Sequence, residues 1–126
     1  MKKFILLLFI ILSPIFAYNS KVTAGYAIGI FDASGNGENV QHVKKTKANY
    51  NGTCFTKVFI VGKFYNIKPV VKIGNSIGHH QSSKPIYGNR KLKIGEVLLF
   101  KHYNVTKGHI KVMFKNKLFD SKVYVK

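Results

Sequence analysis

The chain has 126 residues, of which 21 are Lys or Arg and only 4 are Asp or Glu, so its formal net charge at pH 7 is +17. This length suits a single domain with a modest core, and a lone cysteine, Cys54, excludes an internal disulfide as the source of its stability. So strong a positive field predicts an anionic partner, such as lipopolysaccharide, an anionic cell-wall polymer, an anionic lipid surface or nucleic acid.

The N-terminus has the three-part layout of a secretory signal peptide. Lys2 and Lys3 are followed by the apolar residues 4–12, and Ala17 offers a small residue at a cleavage point. The apolar stretch is shorter than the roughly 20 residues that a membrane-spanning helix needs. We therefore expect residues 1–17 to be a signal peptide and residues 18–126 to form one domain without a transmembrane span. The mature bacterial protein should be secreted or periplasmic, with a charge of +15 (19 basic against 4 acidic residues).

The first segments after the signal peptide predict a strand, a turn and a less regular stretch. In residues 21–31 small residues alternate with larger ones, as in a strand that is bulged or crossed closely by another backbone. Residues 32–38 are rich in Asp, Ser, Asn and Gly and predict a turn. Residues 40–47 hold few apolar residues and predict either a short edge strand or an irregular arm.

The turn also partly matches a calcium-binding loop. Asp32, Ser34 and Asn36 stand at alternate positions, as the ligands of such a loop do. Val43 occupies the position where the loop needs a bidentate glutamate. We therefore expect a turn without a bound metal.

Residues 54–64 form the longest β-branched and aromatic run after the N-terminus and predict the central strand. One alternating set carries almost no charge and should face the core, whereas the other mixes aromatic rings with lysines. The expected inward set is Cys54, Thr56, Val58, Ile60, Gly62 and Phe64. Cys54 is therefore expected to be a buried thiol, not a nucleophile or a link between two chains.

Residues 68–74 predict another strand, with Pro69 at its start or at a sheet edge because proline lacks a ladder donor. Residues 75–91 are polar and rich in Gly and Ser, and predict a mobile basic loop. The adjacent His79 and His80 should point to opposite sides of an extended chain, so the pair does not make a metal site by itself.

The C-terminal part predicts three more strand regions. Residues 93–105 are centred on a continuous apolar run, which indicates burial on both faces. Residues 109–114 and 119–125 alternate and predict a terminal hairpin. The whole chain thus has six to seven predicted strands and no helix. We expect an all-β domain, either a small antiparallel β-sandwich or a small barrel.

The order of these features resembles the YolA-like small secreted bacterial proteins of unknown function. The points of contact are Gly37-Glu38, the turn of residues 50–52 before a long strand, Lys72-Ile73-Gly74 and the closing residues 108–125. The resemblance implies a secreted β-rich domain and no catalytic residues.

Basic and aromatic side chains are interleaved along the predicted strands, which suits binding to anionic lipids, glycans or single-stranded nucleic acid. Lys57 and Lys63 share a strand face with Phe55 and Phe59, unless those rings form a second core. The candidate anion-binding residues are Lys57, Lys63, His79, His80, Lys84, Arg90, Lys91 and Lys101. We expect a non-enzymatic monomer without cofactor or metal, acting on an anionic polymer or lipid surface as an effector or antimicrobial factor.

Two other functions stay open at this point. A small secreted ribonuclease could use His102 and His109 for proton transfer, with Lys101 or Lys111 stabilising charge at phosphorus. An envelope protein could instead use a sheet edge or an apolar face to contact another protein.

Overall fold

The computed structural model describes residues 21–64 and 67–126, so the predicted signal peptide and its cleavage point lie outside the described residues. In this part of the chain, ten β-strands and one 3-10 helix are present. The strands are β1 (Lys21–Asp32), β2 (Gly37–Asn39), β3 (Gly52–Lys63), β4 (Val70–Ile73), β5 (Ser76–Ile77), β6 (His79–Tyr87), β7 (Lys93–Val105), β8 (Gly108–Phe114), β9 (Lys117–Asp120) and β10 (Tyr124–Val125). The 3-10 helix (Asn89–Lys91) joins β6 to β7.

The strands form two antiparallel sheets of five strands each. The large sheet has the order β2-β1-β3-β7-β6. The small sheet has the order β10-β8-β4-β5, and β9 also pairs with β8. The all-β antiparallel prediction is confirmed. The structure has four strands beyond the six clearly predicted ones: β2, β5 and β10 are only two or three residues long, too short to show a pattern in sequence, and β6 lies in the predicted loop.

The core lies between the two sheets and takes one face of each. Ile30, Val58 and Leu98 of the large sheet and Ile110 and Val112 of the small sheet are almost completely buried. The predicted inward set is confirmed for Cys54, Thr56, Val58 and Ile60 of β3 and for Phe64 just beyond its end, which are all buried, whereas Gly62 is half-buried. Each fully buried aliphatic side chain contributes roughly 1.5–3 kcal/mol, so this layer stabilises the domain without a disulfide.

The first strand is bulged, as its small residues predict. Its register with β3 shifts between Val22 and Ala24 and again between Ala27 and Gly29. At the second irregularity, the Ala27 N–H donates to Asp120 Oδ2 at 3.1 Å. A donor in β1 is therefore satisfied by the C-terminal part of the chain.

The prediction of a mobile loop over residues 75–91 is wrong. This stretch contains β5 and β6, and β6 pairs with β7 from His79 to Tyr87. Almost every residue of β6 is exposed, because β6 is the edge strand of the large sheet and the core cluster contains no residue of this strand. The edge position also accommodates Pro85, which has no N–H to donate.

The remaining predictions for strands and connections are largely confirmed. Residues 40–51 form an irregular arm, with a single bridge between Lys45 and Tyr124. Pro69 directly precedes β4, and β7 spans the whole of residues 93–105. The expectation that β7 is buried on both faces is wrong, since Leu98 is fully buried whereas Leu99 is only half-buried.

The C-terminal hairpin is confirmed. β9 and then β10 pair with the same strand, β8, and the pairing is interrupted between Asp120 and Tyr124. The described residues contain no helix with the length and apolar character needed to cross a membrane.

Candidate functional site: a lysine–aromatic face

The outer face of β3 carries the side chains that the core does not use. Phe55, Lys57 and Phe59 alternate with the buried set, so they point away from the small sheet, and each is half-buried. The aromatic rings therefore do not form a second core. They form a partly exposed surface on the large sheet.

The strand register extends this surface over three neighbouring strands. Phe55 lies between Phe31 of β1 and Lys101 of β7, and Lys101 lies opposite His79 of β6. Lys57 lies opposite Leu99. We define the lysine–aromatic face as the outward side chains of these rows and their neighbours, namely Tyr26, Phe31, Phe55, Lys57, Phe59, His79, Lys84, Leu99, Lys101 and Tyr103.

Two ammonium groups of this face, those of Lys57 and Lys101, lie over aromatic rings of other residues. Lys57 Nζ is 5.5 Å from the ring centroid of Phe31. Lys101 Nζ is 5.7 Å from the centroid of Phe55 and 5.0 Å from that of Tyr103. Each such contact contributes roughly 0.5–1 kcal/mol at an exposed site. The two charges are therefore held near the sheet surface by the rings beneath them.

Two of the four carboxylates of the chain hold local structure near β1 and β2. Asp32 Oδ1 accepts hydrogen bonds from the Ser34 hydroxyl at 2.7 Å and from the N–H groups of Ser34 and Asn36 at 3.0 Å. The bond from the Ser34 hydroxyl is the largest reason that the pKa of Asp32 lies below its ordinary value. These bonds form the predicted turn. Among the described residues, no cluster of three or more His, Cys, Asp or Glu side chains could hold a metal ion.

Glu38 fixes the irregular arm to the large sheet. Its carboxylate accepts from the N–H groups of Lys47 and Ala48 at 2.9 and 3.1 Å, and from the Tyr50 hydroxyl at 2.8 Å. Burial acts to raise the pKa of Glu38, but these hydrogen bonds outweigh burial and lower it.

The other two carboxylates also have partners away from the lysines of the face. Glu96 forms an ion pair of 2.9 Å with Lys93, the one ion pair within residues 21–64 and 67–126. Asp120 accepts from the N–H groups of Ala27 and Lys122. Neither Lys57 nor Lys101 therefore forms an ion pair with a carboxylate of the described chain, although Asp32 lines the same surface depression as Lys57.

The candidate anion-binding residues divide into those that the fold brings together and those that it separates. Lys57, Lys101, His79 and Lys84 share the lysine–aromatic face. His80 lies on the opposite side of β6, where its ring packs against Phe100 at a centroid distance of 5.7 Å. The predicted divergence of the two adjacent histidines is thereby confirmed.

The other three candidates lie toward the far end of the large sheet. Lys63 is the last residue of β3 and pairs with Lys21. Arg90 and Lys91 belong to the 3-10 helix between β6 and β7, where both have positive φ angles of 63° and 57°. They are separated from Lys101 by most of the length of β7.

The structure does not bring together His102 and His109, the two histidines of the ribonuclease hypothesis. The His102 side chain is fully buried, with Nε2 2.8 Å from the Thr56 hydroxyl oxygen and Nδ1 3.3 Å from the Ser76 carbonyl oxygen. Burial lowers the pKa of His102 to about 4. His109 is exposed on β8 of the small sheet, where Nδ1 is 3.0 Å from the Ser121 carbonyl oxygen. A phosphodiester in solvent could not reach the buried imidazole.

Cys54 is a buried free thiol, as expected. Burial raises its pKa to about 11, so the thiolate form needed for nucleophilic chemistry is disfavoured.

A cleft of about 610 Å³ lies at one end of the large sheet, and no sequence pattern predicts it. Its lining comes from the β4–β5 hairpin, the start of β6, the end of β7 and the connection to β8. The lining residues with polar side chains or an aromatic ring are Asn75, Ser76, His79, Tyr103, Asn104, Thr106 and Lys107. Asn, Ser and Thr in turns are ordinary turn formers, so composition alone cannot distinguish a cleft from a loop.

Comparison of the chain with models of known protein families, with curated proteins and with solved structures gives no match.

Proposed function

We propose that this protein is an exported, non-enzymatic β-domain that binds an anionic polymer of the cell envelope through its lysine–aromatic face. Export is supported by the N-terminal layout of residues 1–17. The anionic partner is supported by the mature charge of +15 (19 basic against 4 acidic residues).

The observation that carries the proposal is the placement of Lys57 and Lys101. Their ammonium groups lie over rings on neighbouring strands, and neither lysine forms an ion pair with a carboxylate of the described chain. Charges that are already held in place lose less side-chain freedom when a ligand binds. The face can therefore attract repeated carboxylate, sulfate or phosphate groups at little ordering cost.

The geometry favours an anionic polymer recognised by its charges over single-stranded nucleic acid recognised by base stacking. A base stacks on an exposed ring face. Here Tyr26 and Phe59 stack on each other with ring centroids 5.6 Å apart, and Lys57 lies over Phe31. A base would have to displace these contacts before it could stack.

The test is elution of the mature protein from immobilised heparin, a sulfated glycan, in a salt gradient. The double variant Lys57→Gln/Lys101→Gln removes two charges from the lysine–aromatic face. The matched variant Lys72→Gln/Lys111→Gln removes two charges from a cross-strand pair on the small sheet. We expect the first variant to elute at clearly lower salt than the wild type, and the second to elute close to it.

If the two double variants shift the elution salt concentration equally, only total charge matters for binding. The assignment of binding to the lysine–aromatic face would then be wrong. Elution of the wild type at low salt would contradict the proposal that the protein binds an anionic polymer. Tighter binding to an immobilised polyuridine column than to heparin would assign the face to nucleic acid instead.

A further inference from the structure

The cleft of about 610 Å³ continues from the lysine–aromatic face, because Tyr103 and His79 belong to both. Lys101 Nζ lies 5.0 Å from the Tyr103 ring centroid, and the His79 ring contacts the same tyrosine with centroids 5.4 Å apart. A polymer chain lying across Lys101 would therefore reach the cleft directly past Tyr103.

The walls of the cleft contact each other closely at two points. The Ser76 hydroxyl donates to the Tyr103 carbonyl oxygen at 2.6 Å, which ties β5 to the end of β7. A Cβ on Gly108 would lie 2.6 Å from Gly74 Cα, so two backbones approach each other where only glycine fits. Gly74 and Gly108 also have positive φ angles of 59° and 146°. The β4–β5 turn and the β7–β8 connection therefore contact each other directly, and they build adjoining walls of the cleft.

The lining combines the apolar side chains of Ile73 and Ile77 with polar groups that match the hydroxyls of a sugar unit. The side chains of Asn75, Asn104 and Thr106 are exposed, and each of these amides and hydroxyls can both donate and accept hydrogen bonds, as sugar hydroxyls do. Lys107 adds one positive charge, and no Asp or Glu lines the cleft. The volume lies within the range of roughly 300–1,000 Å³ that is usual for small-ligand sites.

We propose that this cleft binds one sugar unit of an anionic glycan, with Asn104 bonding sugar hydroxyls and Lys107 pairing with its carboxylate or sulfate. This inference rests on the proposed function and names the class of polymer. We favour a sugar over a nucleotide because the polar lining consists mainly of amides and hydroxyls, and because the Tyr103 ring, although 47% exposed, already contacts the Lys101 ammonium and the His79 ring.

The experiment is a calorimetric titration of the mature protein with a heparin-derived tetrasaccharide, which is long enough to fill the cleft but covers little of the face. Asn104 has a φ of 54°, so Asn104→Gly keeps the backbone conformation and removes only the amide. Asn116 has a φ of 67° in the β8–β9 turn of the small sheet, so Asn116→Gly is the matched control.

We expect Asn104→Gly to weaken tetrasaccharide binding by about three- to tenfold, as the loss of one or two hydrogen bonds does, and Asn116→Gly to leave it unchanged. Lys107→Gln should weaken it by about tenfold, with Lys117→Gln as its control. Binding of a neutral maltotetraose should be much weaker than that of the heparin tetrasaccharide.

Retention on the long heparin column, measured with the same variants, separates this inference from the proposed function. If Lys57→Gln/Lys101→Gln still lowers retention but Asn104→Gly does not affect the tetrasaccharide, the cleft assignment is wrong and the proposed function stands. If neither heparin nor the tetrasaccharide binds, both are wrong. Binding of a short polyuridine that depends on Asn104 would overturn the glycan assignment.

Discussion

The two faces of β3 and β7 are built from alternate residues of the same strands, yet they differ in almost every property. On the inner face, Val58 and Leu98 are fully buried, and the polar Thr56 and His102 bond to each other. On the outer face the rings are half-buried and ammonium groups lie above them. Because a strand has a period of two, each face can change without altering the other.

This division explains how a small domain can carry so much positive charge without a disulfide. The inner layer supplies apolar burial, and its polar atoms have partners, since the described residues contain no buried side-chain nitrogen or oxygen without a hydrogen bond. The outer layer adds little burial. Stability should therefore depend on the inner face, and ligand binding on the outer one.

The largest expected difference between the faces comes from adjacent leucines of β7. Leu98 is fully buried, whereas Leu99 is half-buried on the lysine–aromatic face. We expect Leu98→Ala to lower the free energy of unfolding by roughly 2–5 kcal/mol, because it leaves a cavity, and Leu99→Ala to lower it by about 1 kcal/mol or less. Urea denaturation of the two variants measures this, and equal losses would show that the faces are not independent.

Low pH should also destabilise the domain through the inner face, where His102 is buried. Burial, with a smaller effect from the nearby His79, lowers the pKa of His102 from 6.5 to about 4, although the hydrogen bond with the Ser76 carbonyl acts to raise it. The unfolded state therefore binds a proton that the folded state does not between these two pH values. The contribution of His102 to the free energy of unfolding should be fully present above pH 6.5 and should decrease as the pH falls from 6.5 to about 4. Below that pH, the titration of His102 should cause no further change. The loss is about 3 kcal/mol at most.

The variant His102→Gln should lose this part of the pH dependence, whereas His79→Gln, an exposed histidine on the outer face, should keep it. Chemical denaturation at a series of pH values compares them. If His102→Gln does not fold, an NMR titration of the wild-type imidazole gives the answer directly. A His102 pKa at or above its ordinary value would contradict the assignment of this histidine to the inner layer.

The alternation of residues 54–64 was sufficient to predict both faces of the central strand, because its inward set is nearly free of charge. The same reasoning failed for β6. An edge strand that is exposed on both sides needs no apolar period, so its Ser, His and Pro residues resemble those of a loop. It also failed on the outer side of β7, where a continuous apolar run indicated two buried faces and only one is buried.

The candidate site could be predicted only in part. Lysines among aromatic residues were visible in sequence, and Lys57 and Lys101 were both identified. Their pairing with Phe31 and Phe55 depends on the register between strands that are distant in sequence, which no local pattern specifies. The cleft is harder still, since Asn75 and Asn104 come from two separate connections that meet only in the folded chain.

The smallest expected effect on stability is that of the double variant Lys57→Gln/Lys101→Gln. The variant loses cation–π contacts with Phe31, Phe55 and Tyr103, each worth roughly 0.5–1 kcal/mol. It also removes two positive charges from a strongly cationic domain, which relieves self-repulsion and opposes that loss. We expect a net change in the free energy of unfolding within about 0.5 kcal/mol.

Ionic strength separates these two opposing contributions. At about 0.01 M salt the Debye length is roughly 30 Å and repulsion acts across the domain, whereas at about 1 M it is roughly 3 Å. The free energy of unfolding of the double variant, measured by urea denaturation relative to the wild type, should therefore be higher at low salt than at high salt. The variant Lys72→Gln/Lys111→Gln removes a like-charged cross-strand pair. Its stability should rise more at low salt, because neither lysine lies over an aromatic ring of the described part of the chain. A large loss of stability in Lys57→Gln/Lys101→Gln at both salt concentrations would mean that these lysines hold the sheet together, and that the outer face is structural in the same sense as the inner one.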